Sequence, residues 1–104
     1  MNTTLTELHL KHNQLGEDGG QAIVSALSVN TTLTVLDLGG NELGEDGGRA
    51  IASALSVNTT LTKLDLTCNR LGEGKGDNQL GEGAAGQAIA SALSVNTTLT
   101  ELHL

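Results

Sequence analysis

His9, Asp37, Asp65 and His103 recur at steps of 28, 28 and 38 residues. Imidazoles and carboxylates at one repeat could ligate a transition metal or form two His–Asp ion pairs, His9 with Asp37 and His103 with Asp65. That requires a fold that brings the four into one line. Glu7, Val35, Lys63 and Glu101 precede them at the same steps, and Lys11, Gly39 and Thr67 follow them. A metal centre needs further groups behind its ligands to orient them, and the sequence offers none here. The three sets therefore read as a polar binding face, with no metal and no cofactor expected.

Other chemistry has less support. Cys68 sits between Thr67 and Asn69, with no histidine at a fixed offset. Ser25, Ser53 and Ser91 recur in every unit, as do Ser28, Ser56 and Ser94, which marks them as structural. No Gly-Lys-Ser or Gly-Lys-Thr follows the glycine-rich stretch, so no phosphate loop is present. Arg49 and Arg70 lie in no catalytic motif. An enzyme is not expected.

The elements that must position these residues follow from internal repetition. Asn-Thr-Thr-Leu-Thr begins at Asn2, Asn30, Asn58 and Asn96. Leu5 to Glu17, Leu33 to Glu45 and Leu61 to Glu73 each read Leu-x-x-Leu-x-Leu-x-x-Asn-x-Leu-Gly-Glu. Leu8 and Leu10 alternate, so a strand turns both inward and leaves Glu7, His9 and Lys11 on its other face. Gly20–Val29, Gly48–Val57 and Gly86–Val95 carry helical spacing, with Ala22, Ile23, Ala26 and Leu27 forming one stripe. Strand and helix in alternation require parallel strands and right-handed crossovers. Asn13, Asn41 and Asn69 are expected to stack as a ladder at the strand ends.

These residues resemble the leucine-rich repeats of the ribonuclease-inhibitor-like class over essentially the whole chain. The resemblance implies an α/β solenoid in a horseshoe arc, with a parallel sheet on its concave face and helices on its convex face. Four strands and three helices make one domain, 1–104, with repeats 2–29, 30–57 and 58–95 and a partial repeat 96–104. It also implies a non-catalytic module that meets protein partners on the concave sheet and on its rims. A shared fold transfers no particular activity.

The third unit is ten residues longer than the others. Asn69–Gly74 and Asn78–Gly83 are near copies. Leu71 keeps the correct distance from Leu66, so it is placed in the core, and an insertion at about 75–84 loops out. The rival register seats Leu80 instead. The insertion reads as a tolerated lengthening or as a rim that presents Asp77, Leu80 and Glu82 to a partner. The first and last strands lie in ordinary units without polar caps. Leu5, Leu8 and Leu10 at one end, and Leu99, Leu102 and Leu104 at the other, are expected to face water. The chain thus reads as a fragment, or as a self-assembling scaffold whose ends pair with other copies. Near-identity of the units points to recent expansion or to design from a consensus.

Composition agrees with small stacked layers. The chain has no aromatic residue, so Leu, Ile, Val and Ala must build its interior. A net charge of −7 argues against nucleic acid and against an anionic membrane surface. One cysteine, no long apolar run and no basic-then-apolar N-terminus point to a soluble, cytoplasmic chain.

Overall fold

The computed structural model describes residues 2–72 and 83–104. Along the chain run β1 (Glu7–His9), α1 (Gly16–Val29), β2 (Val35–Asp37), α2 (Gly44–Leu55), β3 (Lys63–Asp65), α3 (Ala84–Val95) and β4 (Glu101–His103). The strands form one sheet in the order β1-β2-β3-β4. All its pairings are parallel, with Leu8 opposite Leu36, Leu36 opposite Leu64, and Leu64 opposite Leu102. α2 packs between α1 and α3. Among the described residues this is the four-strand, three-helix solenoid that the leucine spacing implies.

The core lies between sheet and helices. Leu36, Leu38, Leu64 and Leu66 point inward from the strands and are buried against Leu43, Ile51, Leu55 and Leu71. Leu71 fills for α2 the place that Leu43 fills for α1. A Cβ on Gly48 would lie 3.0 Å from Leu71 Cδ2, and one on Gly20 would lie 2.8 Å from Leu43 Cδ2. Of the stretch 75–84, Ala84 is the first residue of α3; residues 75–82 fall outside the described residues.

The helices differ from the sequence expectation in two ways. α1 and α2 begin at Gly16 and Gly44, four residues before the expected Gly20 and Gly48, and α2 stops at Leu55 rather than Val57. α3 begins at Ala84 rather than Gly86. No side chain caps α1 or α2. Instead the Gly16 N–H donates to the Asn41 carbonyl and the Gly44 N–H to the Asn69 carbonyl, each at 2.9 Å. The next repeat thus supplies the acceptor that a capping residue normally provides. Glu17 and Asp18 sit inside the first turn, where the helix dipole favours negative charge.

The second difference is the apolar stripe of α1. Gly20, Val24 and Leu27 are its buried residues; Ile23 is half-buried, and Ala22 and Ala26 are exposed. In α2 the equivalents Ile51 and Ala54 are buried, because α1 covers them. The expected stripe is therefore most fully buried in α2, which has a helix on both sides, with Ala50 half-buried.

Two asparagine ladders tie the repeats together. Asn41 Nδ2 donates to the carbonyls of Leu10 and Leu38 at 2.9 Å each, and Asn69 Nδ2 donates to those of Leu38 and Leu66 at 2.8 and 3.0 Å. Both asparagines are buried. The second ladder, not foreseen from sequence, enters each strand. Asn58 Oδ1 accepts the N–H groups of Thr60 and Leu61 at 3.0 and 2.8 Å, while its Nδ2 donates to the Leu27 carbonyl at 3.0 Å. Asn96 repeats this with Thr98, Leu99 and the Leu55 carbonyl. Its signal was the asparagine that opens each Asn-Thr-Thr-Leu-Thr string.

Candidate functional site

The outward positions of the strands form three columns. Glu7, Val35, Lys63 and Glu101 stand in register, as do His9, Asp37, Asp65 and His103. Lys11, Gly39 and Thr67 adjoin one another: a Cβ on Gly39 would lie 3.2 Å from Thr67 Oγ1 and 3.5 Å from Lys11 Cγ. Neighbouring strands sit about 4.8 Å apart, so column neighbours are within reach.

Of the two expected His–Asp couples, His9 meets Asp37 at ion-pair distance, and both histidines lie closer to a glutamate. His9 Nε2 lies 3.4 Å from Glu7 Oε1, and its Nδ1 stays 4.0 Å from Asp37 Oδ2. His103 Nε2 lies 3.3 Å from Glu101 Oε2. Each histidine turns along its own strand to the glutamate two residues back. Lys63 Nζ joins Glu101 from β3 at 3.4 Å. The aspartates are engaged through one oxygen each, within their own turns. Asp37 Oδ1 accepts the Gly39 N–H at 3.0 Å, and Asp65 Oδ1 accepts the Thr67 N–H at 2.9 Å and the Thr67 hydroxyl at 2.8 Å. These bonds close the turn that follows each strand, and they orient both carboxylates.

Electrostatics follow the same contacts. Burial pushes the Asp65 carboxyl upward, but the Thr67 N–H and hydroxyl, with His103 and Lys11, outweigh it and hold its pKa below the ordinary value. Glu101 is also lowered, by His103 first and then Lys63. It is a solvated group, so this is local tuning rather than stability. Glu7, His9, Lys63, Glu101 and His103 have side chains roughly half exposed or more. Among the described residues no group of three or more His, Cys, Asp or Glu is placed to hold a metal ion. Cys68 is exposed. No helix among the described residues is long and apolar enough to cross a membrane. Asp77, Leu80 and Glu82, the expected rim, lie outside the described residues.

The ends are more covered than expected. Of the six leucines expected to face water, Leu5 and Leu104 are exposed, at 41% and 46%. Leu8, Leu10, Leu99 and Leu102 are half-buried, because each still packs on one neighbouring repeat.

Comparison with known proteins agrees with this architecture. The leucine-rich repeat pattern matches residues 2–24, 29–52 and 57–73. No curated protein matches the chain. A solved structure of leiomodin-1 actin-binding site 2 superposes with a TM-score of 0.77 at 24% identity, over 97% of this chain and 53% of that one. The chain thus spans about half the length of that structure. The tropomodulin C-terminal domain of Caenorhabditis elegans superposes with a TM-score of 0.67 at 13% identity, over 99% of this chain and 75% of that one. At these identities the likeness concerns the fold. Through its three matched repeats and its strand–helix unit, the chain belongs to the leucine-rich repeat family, in the ribonuclease-inhibitor-like class.

Proposed function

We infer that the chain is a non-catalytic protein-binding module whose contact surface is the open face of the sheet. The observation that carries this is the double tether of Asp65 by Thr67, matched at Asp37 by the Gly39 N–H. These bonds fix two carboxylates at the centre of a face flanked by Lys11, Lys63, His9 and His103. A surface whose polar groups are already oriented loses little freedom on binding. The chain's negative charge favours a partner patch with basic groups opposite Asp37 and Asp65. With no Trp or Tyr to anchor a hot spot, affinity is modest. The fold neighbour described as an actin-binding site makes actin one protein partner worth testing. The non-catalytic reading is supported by the same contacts: among the described residues, the aspartates serve turn N–H groups and the histidines turn to glutamates rather than to a nucleophile.

A photo-reactive amino acid at Val35 tests the reading, with a matched probe at Ser53 on the helix side. In a lysate of the cells that make the chain, the Val35 probe should capture a discrete protein that the Ser53 probe does not. Asp37→Lys with Asp65→Lys should abolish that capture. Equal capture from both faces would overturn the assignment.

A further inference from the structure

Residues 96–104 repeat residues 2–10 letter for letter, Asn-Thr-Thr-Leu-Thr-Glu-Leu-His-Leu. The two segments also share a conformation. Asn2 Oδ1 accepts the Thr4 and Leu5 N–H groups at 3.1 and 2.7 Å, and Asn96 Oδ1 accepts those of Thr98 and Leu99 at 3.0 and 2.8 Å. Each histidine sits against the glutamate two residues before it, at 3.4 and 3.3 Å. The burial patterns of β1 and β4 match.

The helices at the two ends carry complementary unfilled faces. Gly20, Val24 and Leu27 of α1, and Gly48, Ala52 and Leu55 of α2, are buried by the helix that follows. Their equivalents in α3 are Gly86, half-buried, and Ala90 and Leu93, both exposed. At the other end, Ile51 and Ala54 of α2 are buried by α1, whereas Ile23 and Ala26 of α1 line an apolar groove with Leu5 and Leu8. The outer face of α3 and the groove on α1 therefore occupy the positions at which adjacent helices pack inside the solenoid.

We propose that copies of the 104-residue chain associate head to tail by strand exchange, with residues 96–104 of one copy replacing residues 2–10 of the next. Glu101, Leu102 and His103 then take the partner's Val35, the partner's Leu36 and the partner's Asp37 as neighbours. Those are the partners that Glu7, Leu8 and His9 have now. No sheet contact is lost, because the incoming segment is identical to the one displaced. What is gained is helix packing, with Gly86, Ala90 and Leu93 against the partner's Ile23 and the partner's Ala26, continuous with the α1–α2 and α2–α3 packing. Pairing β4 beside β1 without exchange is disfavoured. It sets Glu101 beside the partner's Glu7 and leaves no helix over the joint. The contact is heterologous, so it leaves a free head and a free tail on every assembly. It uses the ends of the solenoid and leaves the open sheet face available.

Sedimentation velocity over the micromolar range tests the association, and disulfide trapping tests its register. The chain should sediment as a growing series with concentration. Leu93→Glu or Ala26→Glu, both at exposed positions, should each give monomers whose circular dichroism is unchanged. A mixture of the two variants should stop at dimers, because each supplies the surface the other lacks. In a Cys68→Ser background, Val35→Cys with Glu101→Cys should form an interchain disulfide, and Glu7→Cys with Glu101→Cys should not. A monomer at every concentration, or trapping of the second pair instead of the first, would overturn the proposal. Either result leaves the sheet-face reading untouched.

Discussion

Asn69 accepts the backbone N–H of Asn41 on its side-chain oxygen at 2.9 Å, 28 residues away in sequence. Asn41 accepts the N–H of Asn13 in the same way at 2.8 Å. Each ladder asparagine therefore satisfies groups in its own turn and in the preceding one. Asn13 has no earlier repeat to serve among the described residues, and it is exposed. Asn41→Ala leaves the Asn13 N–H without its acceptor and takes one donor from each of the Leu10 and Leu38 carbonyls, which keep Asn13 Nδ2 and Asn69 Nδ2. At about 1 kcal/mol for each hydrogen bond removed, with partial relaxation, a loss of about 2 kcal/mol is expected. Asn13→Ala should cost less than about 1 kcal/mol. Urea unfolding of the two variants checks the gap, and equal losses would show that the ladder does not carry the load between repeats.

The second ladder gives its own contrast. Asn58→Asp keeps the acceptor for Thr60 and Leu61 but replaces the donor to the Leu27 carbonyl with a carboxylate oxygen. Asn58 is buried, while Asn30 is partly exposed and its Nδ2 reaches the Asn2 carbonyl at 3.5 Å. Asn58→Asp should lower stability by at least about 2 kcal/mol, and Asn30→Asp by well under half of that. Thermal unfolding at pH 7 reads both.

At Gly47 the sign itself is at stake. Helix propensity favours alanine over glycine by about 1 kcal/mol. A Cβ on Gly47, however, would sit 2.8 Å from Leu43 Cβ, which is fixed in the core. Such overpacking costs about 1–3 kcal/mol, so Gly47→Ala should destabilise. The third unit carries Ala85 at the equivalent place, fully buried. Four residues ahead of it the sequence has Gly81, where the other units have Leu15 and Leu43. A stabilised Gly47→Ala would mean that the close approach is not maintained.

Acid stability should depend on Asp65. Its folded pKa is lowered, so folding favours the ionised carboxylate. That contribution is present above the unfolded carboxylate pKa and is lost as pH falls through the folded value. Between neutral pH and the acid range, Asp65→Asn should therefore lose less stability than the parent chain. Thr67→Val, which removes one of the two Thr67 donors, should raise the Asp65 pKa in an NMR titration. An unmoved titration would separate Asp65 from the turn.

The sheet and its columns were legible because they depend on local alternation copied at a fixed period. Once Leu8, Leu36, Leu64 and Leu102 align, His9 must stand beside Asp37. Less visible were the features decided across repeats. The start of α1 follows from a carbonyl of Asn41, far along the chain, so no cap residue announces it. The rotamers of His9 and His103 depend on a choice between a glutamate of their own strand and an aspartate of the adjacent one, which residue type alone does not decide. Exposure of Ala26 depends on whether a helix precedes α1, which the residues of α1 do not encode.

The central claim is that the open face of the sheet is the contact surface. It is tested most directly by affinity for the protein captured at Val35, using charge-matched variants on opposite faces. Asp37→Asn with Asp65→Asn removes two negative charges from the sheet face. Ser53→Lys with Ser91→Lys changes the charge of the helix side by the same amount. Titration calorimetry should show the first pair weakening binding about tenfold or more, the equivalent of about 1.4 kcal/mol, and the second pair leaving it within about twofold. Loss of binding in the helix-side variant, with the sheet-face variant unaffected, would contradict the account.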